Sequence, residues 1–263
     1  MTSQTESAEQ LPENQGLSKI EFRKLLQAEM KFKQRSHNTY EKTHAPELLK
    51  YQQTEEQKDP DFSPVENTQN LPPGIDAVLI GDSMLERLKT TGSHTRIAHL
   101  PSSFNAGVGG DKIENVLYRL DLGMMDLLES RKVKLWVVMI GTNNLRKTRP
   151  LSEVEGQRYR LLLQALLRIA PRSQILACEV FRRKDVDDEF VEKSNELLRS
   201  VVEEVDRNLG GWKGRICWME APVEVTKERL VDHVHLDREG YRIWDEGLYG
   251  KVEELLERSE TSE

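Results

Sequence analysis

The chain has 263 residues, 32% of them charged and 6% aromatic, with a formal net charge of -7. That length fits one domain with an extension, or two small domains, and a core of about 190 residues can be stable without staples. The acidic balance, with no cluster of Lys and Arg in the folded part, argues against a nucleic-acid partner. No apolar run reaches the roughly 18–20 residues that span a bilayer. The polar start Met1–Ser7 does not have the form of a signal peptide.

Residues 1–16 are polar and are expected to be disordered. Ser18-Lys19-Ile20-Glu21 has the form of a capping box. Phe22, Leu25, Leu26 and Met30 then follow helical spacing among Lys24, Lys31 and Lys33, which predicts an amphipathic helix over about 19–35. Such a helix either packs on the rest of the chain or sits in a flexible tail; a partner or membrane-surface role is the less common use of a pattern like this. Residues 52–73 are rich in Gln, Glu, Asp and Pro and read as a linker. The expected division is an extension over 1–73, a domain over 74–258 and a disordered tail over 259–263.

From Asp76 onward apolar runs alternate with helical patterns. Strands are expected at Ala77–Ile80, within Arg96–Asn105, at Leu135–Ile140, at Ile175–Val180 and at Ile216–Met219. The runs are continuous rather than alternating, as in parallel strands covered on both faces. Helices are expected near 84–90, 111–129, 152–170, 187–208 and 238–257. Together they predict an α/β fold, a layered sandwich on a parallel sheet. Cys178 and Cys217 lie inside strand-like runs and read as free buried thiols. With no signal peptide, they suggest a reducing, cytoplasmic setting.

Four short motifs stand just beyond strand ends or before the last helix: Gly81-Asp82-Ser83, Gly107-Val108-Gly109-Gly110-Asp111, Gly141-Thr142-Asn143-Asn144 and Asp232-His233-Val234-His235. The carboxyl ends of parallel strands are where such sheets place ligands. Ser83 opens a helix, where free N–H groups favour developing negative charge; taken alone it could equally be an N-cap. Asp232 and His235, three apart, can meet within one turn, so the carboxylate can fix the imidazole tautomer and leave the other nitrogen as a base. His233 competes for that role, and Asp237 is a less favoured orienting carboxylate. The glycine run lacks the Lys-Ser/Thr of a P-loop and the glycine pattern of a dinucleotide site. A glycine of the run can instead let the backbone approach a substrate and aim an N–H inward, and the neutral Asn143 amide can donate to an oxyanion. Asn143 could also be a plain turn residue.

These parts suit ester hydrolysis, with Ser83 as nucleophile, His235 as base, Asp232 as its orienting acid, and Ser83, Gly110 and Asn143 as oxyanion donors. A base that must be neutral predicts activity falling as pH drops through roughly 6–7. Two other readings stay open: a catalytically silent binding or scaffold protein that keeps the fold, and a nucleotide binder using the glycine loop. Arg182, Arg183 and Lys184 could attract an anionic substrate, but they read more simply as exposed loop charge.

The motifs resemble those of the SGNH, or GDSL-type, hydrolase family over about residues 74–258. Within it, Gly-Asp-Ser-Met at 81–84, Gly-Val-Gly-Gly-Asp at 107–111, Gly-Thr-Asn-Asn at 141–144 and His-Leu at 235–236 are most similar to the intracellular platelet-activating-factor acetylhydrolase catalytic subunits. The resemblance implies a flavodoxin-like three-layer sandwich with five parallel strands, no metal and no cofactor. It also implies hydrolysis of a small-molecule acyl ester, often with a small acyl group, and in some members a homodimer. By the same resemblance Gly110 is the oxyanion glycine, while Gly107 reads as a turn glycine. Lipid, sugar and thioester substrates all remain open.

Overall fold

The computed structural model describes residues 16–56, 74–129, 131–210 and 213–260. The expected disorder of residues 1–15, most of the 52–73 linker and the last three residues of the tail lie outside that range.

Five strands form one parallel sheet in the order β2-β1-β3-β4-β5. They are β1 (Ala77–Gly81), β2 (Ser103–Gly107), β3 (Leu135–Met139), β4 (Gln174–Cys178) and β5 (Ile216–Met219). Side chains alternate between the two faces, and both faces are covered. Val78, Ile80, Trp136, Val138, Ile175 and Ala177 join one buried cluster with residues of α5 (Ile113–Arg119), α6 (Met125–Glu129), α7 (Glu153–Ile169) and α8 (Asp188–Arg207). Ala77, Leu79, Leu135, Val137, Leu176 and Cys178 join a second with α4 (Ser83–Glu86) and α9 (Arg238–Glu260). Double coverage is why the strands read as unbroken apolar runs. The result is the three-layer α/β sandwich that the resemblance implied.

The N-terminal region differs in detail from its sequence pattern. Ser18 and Glu21 form the reciprocal capping box, and α1 (Lys19–Glu29) buries Phe22 and Leu26. It then stops short of residue 35. Met30 is extended (φ -71, ψ 154), Lys31 N–H bonds Glu114 O at 2.9 Å, and Asn115 Nδ2 bonds Lys31 O at 2.9 Å. Two tertiary hydrogen bonds thus replace the next helical turn. The chain resumes as α2 (Gln34–Thr39), a π-helical turn over Tyr40–His44 and α3 (Ala45–Glu56). Phe22, Leu26, Tyr40 and Leu48 belong to the same buried cluster as Ile80 and Trp136. At the other end α9 continues through residues 259 and 260 of the expected tail.

The register of the sheet levels three motifs. Gly81 is paired with Gly107 on one side and Met139 on the other. Val108 N–H bonds Gly81 O at 3.1 Å, and Asp82 N–H bonds Met139 O at 3.2 Å. The segments after β1, β2 and β3 therefore leave the sheet side by side. Gly107 is a close-approach glycine rather than a turn glycine: a Cβ there would stand 2.5 Å from the backbone nitrogen of Glu86. Its lack of a side chain lets α4 lie against β2.

Candidate active site

Ser83 is the first residue of α4, and Asp82 is its N-cap, accepting from Met84 N–H at 3.0 Å. The cap turns the chain off β1, leaving Ser83 6% exposed at the carboxyl end of that strand.

The loop carrying His235 is tied on several sides. Asp232 Oδ1 accepts from the N–H groups of Val234 and His235, both at 2.8 Å. Val231 N–H bonds His235 O at 2.8 Å, and Lys184 N–H bonds His233 O at 2.9 Å. Lys184 Nζ donates to Leu230 O at 2.7 Å. Held this way, His235 Nδ1 lies 2.7 Å from Asp232 Oδ2 and Nε2 lies 2.9 Å from Ser83 Oγ. With hydrogen on Nδ1, the ring donates to the carboxylate and its free Nε2 accepts from the Ser83 hydroxyl. Burial opposes the Asp232 charge, but the donations from the His235 ring and from the two backbone N–H groups outweigh it and hold the carboxyl well below its ordinary range.

His233 is exposed. Asp237 accepts from Gly240 N–H at 2.6 Å at the start of α9. The ring bonded to Ser83 is thus that of His235, and the carboxylate on that ring is Asp232.

After β2, Asp111 N–H bonds Val108 O at 3.1 Å and closes a turn. Gly110 occupies it at φ +75, a left-handed backbone that glycine adopts without strain. Asn143 lies in the turn after β3, and its Nδ2 donates to Asp111 O at 2.9 Å. That bond uses one of the two amide hydrogens and leaves the other available. The N–H groups of Ser83 and Gly110 have no hydrogen-bond partner among the described residues. Gly110 and Asn143 are therefore joined through Asp111.

Several further residues of this neighbourhood take structural roles that the sequence pattern does not assign. Asp111 is fully buried and accepts from Ser36 Oγ at 2.5 Å and Arg119 Nε at 2.9 Å. Arg119, also fully buried, donates onward to Ala106 O at 2.9 Å. Asn144 accepts from Ile113 N–H at 3.0 Å and donates to Glu114 at 2.8 Å, fastening the third motif to the start of α5. Asp82 is 1% exposed, and its Oδ2 has no partner among the described residues. Burial, with the Asp111 charge adding to it, pushes its carboxyl up to about 7. Arg183, expected as exposed loop charge, is 8% exposed; it bonds Thr142 O at 2.7 Å and pairs with Asp185 at 2.9 Å. Arg182 pairs with Glu192 at 3.0 Å. The three basic residues of that loop all fasten it to its surroundings.

Among the described residues no group of three or more His, Cys, Asp or Glu side chains could hold a metal ion. No described helix is long and apolar enough to cross a membrane. Both cysteines are free.

Residues 79–243 match the model of the GDSL-like lipase/acylhydrolase family. Platelet-activating factor acetylhydrolase IB subunit alpha1 of Rattus norvegicus is 25% identical over 186 residues, covering 69% of this chain and 76% of that protein. The alpha2 subunit of Homo sapiens is 25% identical over 193 residues, covering 70% and 79%. A carbohydrate esterase family 3 structure from Talaromyces cellulolyticus superposes with a TM-score of 0.53 at 15% identity, covering 70% of this chain and 99% of that one; it shares the fold.

Proposed function

Because the chain belongs to the GDSL-like lipase/acylhydrolase family, we propose that it is a serine esterase acting on short-chain acyl esters through an acyl-enzyme. The observation that carries this reading is the relay of two short contacts, Asp232 to His235 and His235 to Ser83. Relatives named acetylhydrolases support a small acyl group.

In this reading His235 Nε2 takes the Ser83 proton as Oγ attacks the ester carbonyl. The carbonyl π electrons move to oxygen. The N–H of Ser83, the N–H of Gly110 and the free amide hydrogen of Asn143 receive that oxyanion. Asp232 keeps the ring oriented and stabilises the imidazolium. The tetrahedral intermediate then collapses: the alcohol leaves with the proton from His235, and the acyl group remains on Ser83. Water attacks that acyl group with His235 again as base, which releases the acid and restores the hydroxyl. Two free thiols fit a reducing compartment.

Hydrolysis of p-nitrophenyl esters graded from acetyl to long acyl chains tests the proposal. The expected result is turnover that is fastest for the shortest acyl groups and absent in Ser83→Ala. A folded wild-type chain that cleaves none of these esters overturns it.

A further inference from the structure

Asp111 joins the two candidate oxyanion donors that lie outside Ser83. Its own peptide follows Gly110, and its carbonyl accepts from Asn143 Nδ2 at 2.9 Å. Its carboxylate is fully buried and is held in part by the N-terminal arm. Ser36 Oγ donates to Oδ1 at 2.5 Å, and Lys33 Nζ stands 3.7 Å from the same oxygen. Lys33 Nζ also donates to Gly109 O at 3.3 Å, and a Cβ built on Gly110 would lie 2.8 Å from that ammonium. Arg35 closes the far side with an ion pair to Glu86 at 2.9 Å. All three residues precede the 79–243 stretch that matches the family model.

We propose that Lys33 and Ser36 are positioning residues for the oxyanion site, acting through Asp111 on the backbone of Gly110 and the amide of Asn143. The inference rests on the esterase reading above. Two fixed points, the Ser36 hydroxyl and the Lys33 ammonium, set how deep the Val108–Asp111 turn sits against the sheet edge. That depth sets where the Gly110 N–H and the Asn143 amide point. Donors of this kind work only when held in place before charge develops, and a displacement of about 1 Å can cost about a hundredfold in rate.

The test is steady-state hydrolysis of p-nitrophenyl acetate by the full chain, with a thermal melt on every variant. Lys33→Met and Ser36→Ala should lower kcat about ten- to a hundredfold with little change in KM, and Lys33→Arg should recover part of the loss. Gln34→Ala, whose side chain bonds Asn38 and no other described residue, should behave as wild type. The double variant Ser36→Ala/Asn143→Ala should lose more than Asn143→Ala alone but less than the product of the two single losses, because the arm's effect on the Asn143 amide is already gone and only its effect on Gly110 remains; a merely loosened fold would multiply the two losses. Folded Lys33→Met and Ser36→Ala chains with wild-type kcat would overturn the inference, as would multiplying losses in the double variant. If Ser36→Ala does not fold, Lys33→Met, alone and combined with Asn143→Ala, gives the same decision. A wild-type chain without turnover overturns this inference together with the esterase reading; an active wild type indifferent to the arm overturns only the arm's role.

Discussion

Asp82 immediately precedes the proposed nucleophile, and among the described residues only one of its carboxylate oxygens is bonded, to Met84 N–H. Burial raises its carboxyl from 3.8 to about 7. Between those values the folded chain holds a proton that the unfolded chain releases, so Asp82 makes the fold less stable as pH rises through that window. Asp82→Asn keeps an acceptor for Met84 N–H and removes the titration. Urea unfolding from pH 4 to 8 should show the variant gaining stability relative to wild type as pH rises toward 7, then holding level. A constant difference between the two chains would show that Asp82 does not titrate there. At Asn143 the expectation is kinetic: Asn143→Ala removes one donor and should lower kcat about 10²–10³-fold, leaving residual turnover because two N–H donors remain. Undiminished turnover would remove Asn143 from the oxyanion site.

At the scale of elements, the N-terminal helices carry a buried imidazole. His44 is fully buried, edge-on to Phe104 at 5.5 Å, and neither ring nitrogen has a partner among the described residues. Burial, aided by the Arg119 and Lys89 charges, pushes its pKa down from 6.5 to about 3. The unfolded chain takes up a proton first as pH falls, so His44 costs stability progressively from pH 6.5 toward 3. His44→Leu should therefore gain on wild type over that acid range and differ little in pH dependence above it. Parallel unfolding curves across the range would contradict this. These elements also mark where the sequence pattern stops being informative. The capping box and the Phe22–Leu26 face are local and legible. The end of α1 is not, because the contacts that halt it, to Glu114 and Asn115, lie about eighty residues away. The α2 helix, Gln-Arg-Ser-His-Asn-Thr, has no apolar face to read; it docks through Ser36 on Asp111. Ser83, Asp232 and His235 were legible because residue type, spacing and strand ends all agree. Asp111 stood in a quoted motif, yet its burial and its bond to Asn143 exist only once three strand ends are level.

At the scale of the molecule, the arm and the sheet share one core. Leu26 is fully buried in the cluster that contains Val138 and Trp136. Leu26→Ala should cost about 2–5 kcal/mol and shift a single unfolding transition that secondary structure and tryptophan fluorescence report together. A separate early transition for the arm would show that it folds as its own unit. The same continuity carries the proposed chemistry. Three motifs meet because β1, β2 and β3 end in register, and the fourth reaches them from the loop before α9.

Intact-mass analysis after treatment with a fluorophosphonate tests the central claim most directly. If Ser83 and His235 work as a nucleophile and base, the wild-type chain gains one adduct, and peptide mapping places it on Ser83. His235→Ala should label far more slowly while keeping its fold. A folded wild-type chain that stays unlabelled, or carries the adduct on another residue, would contradict the account.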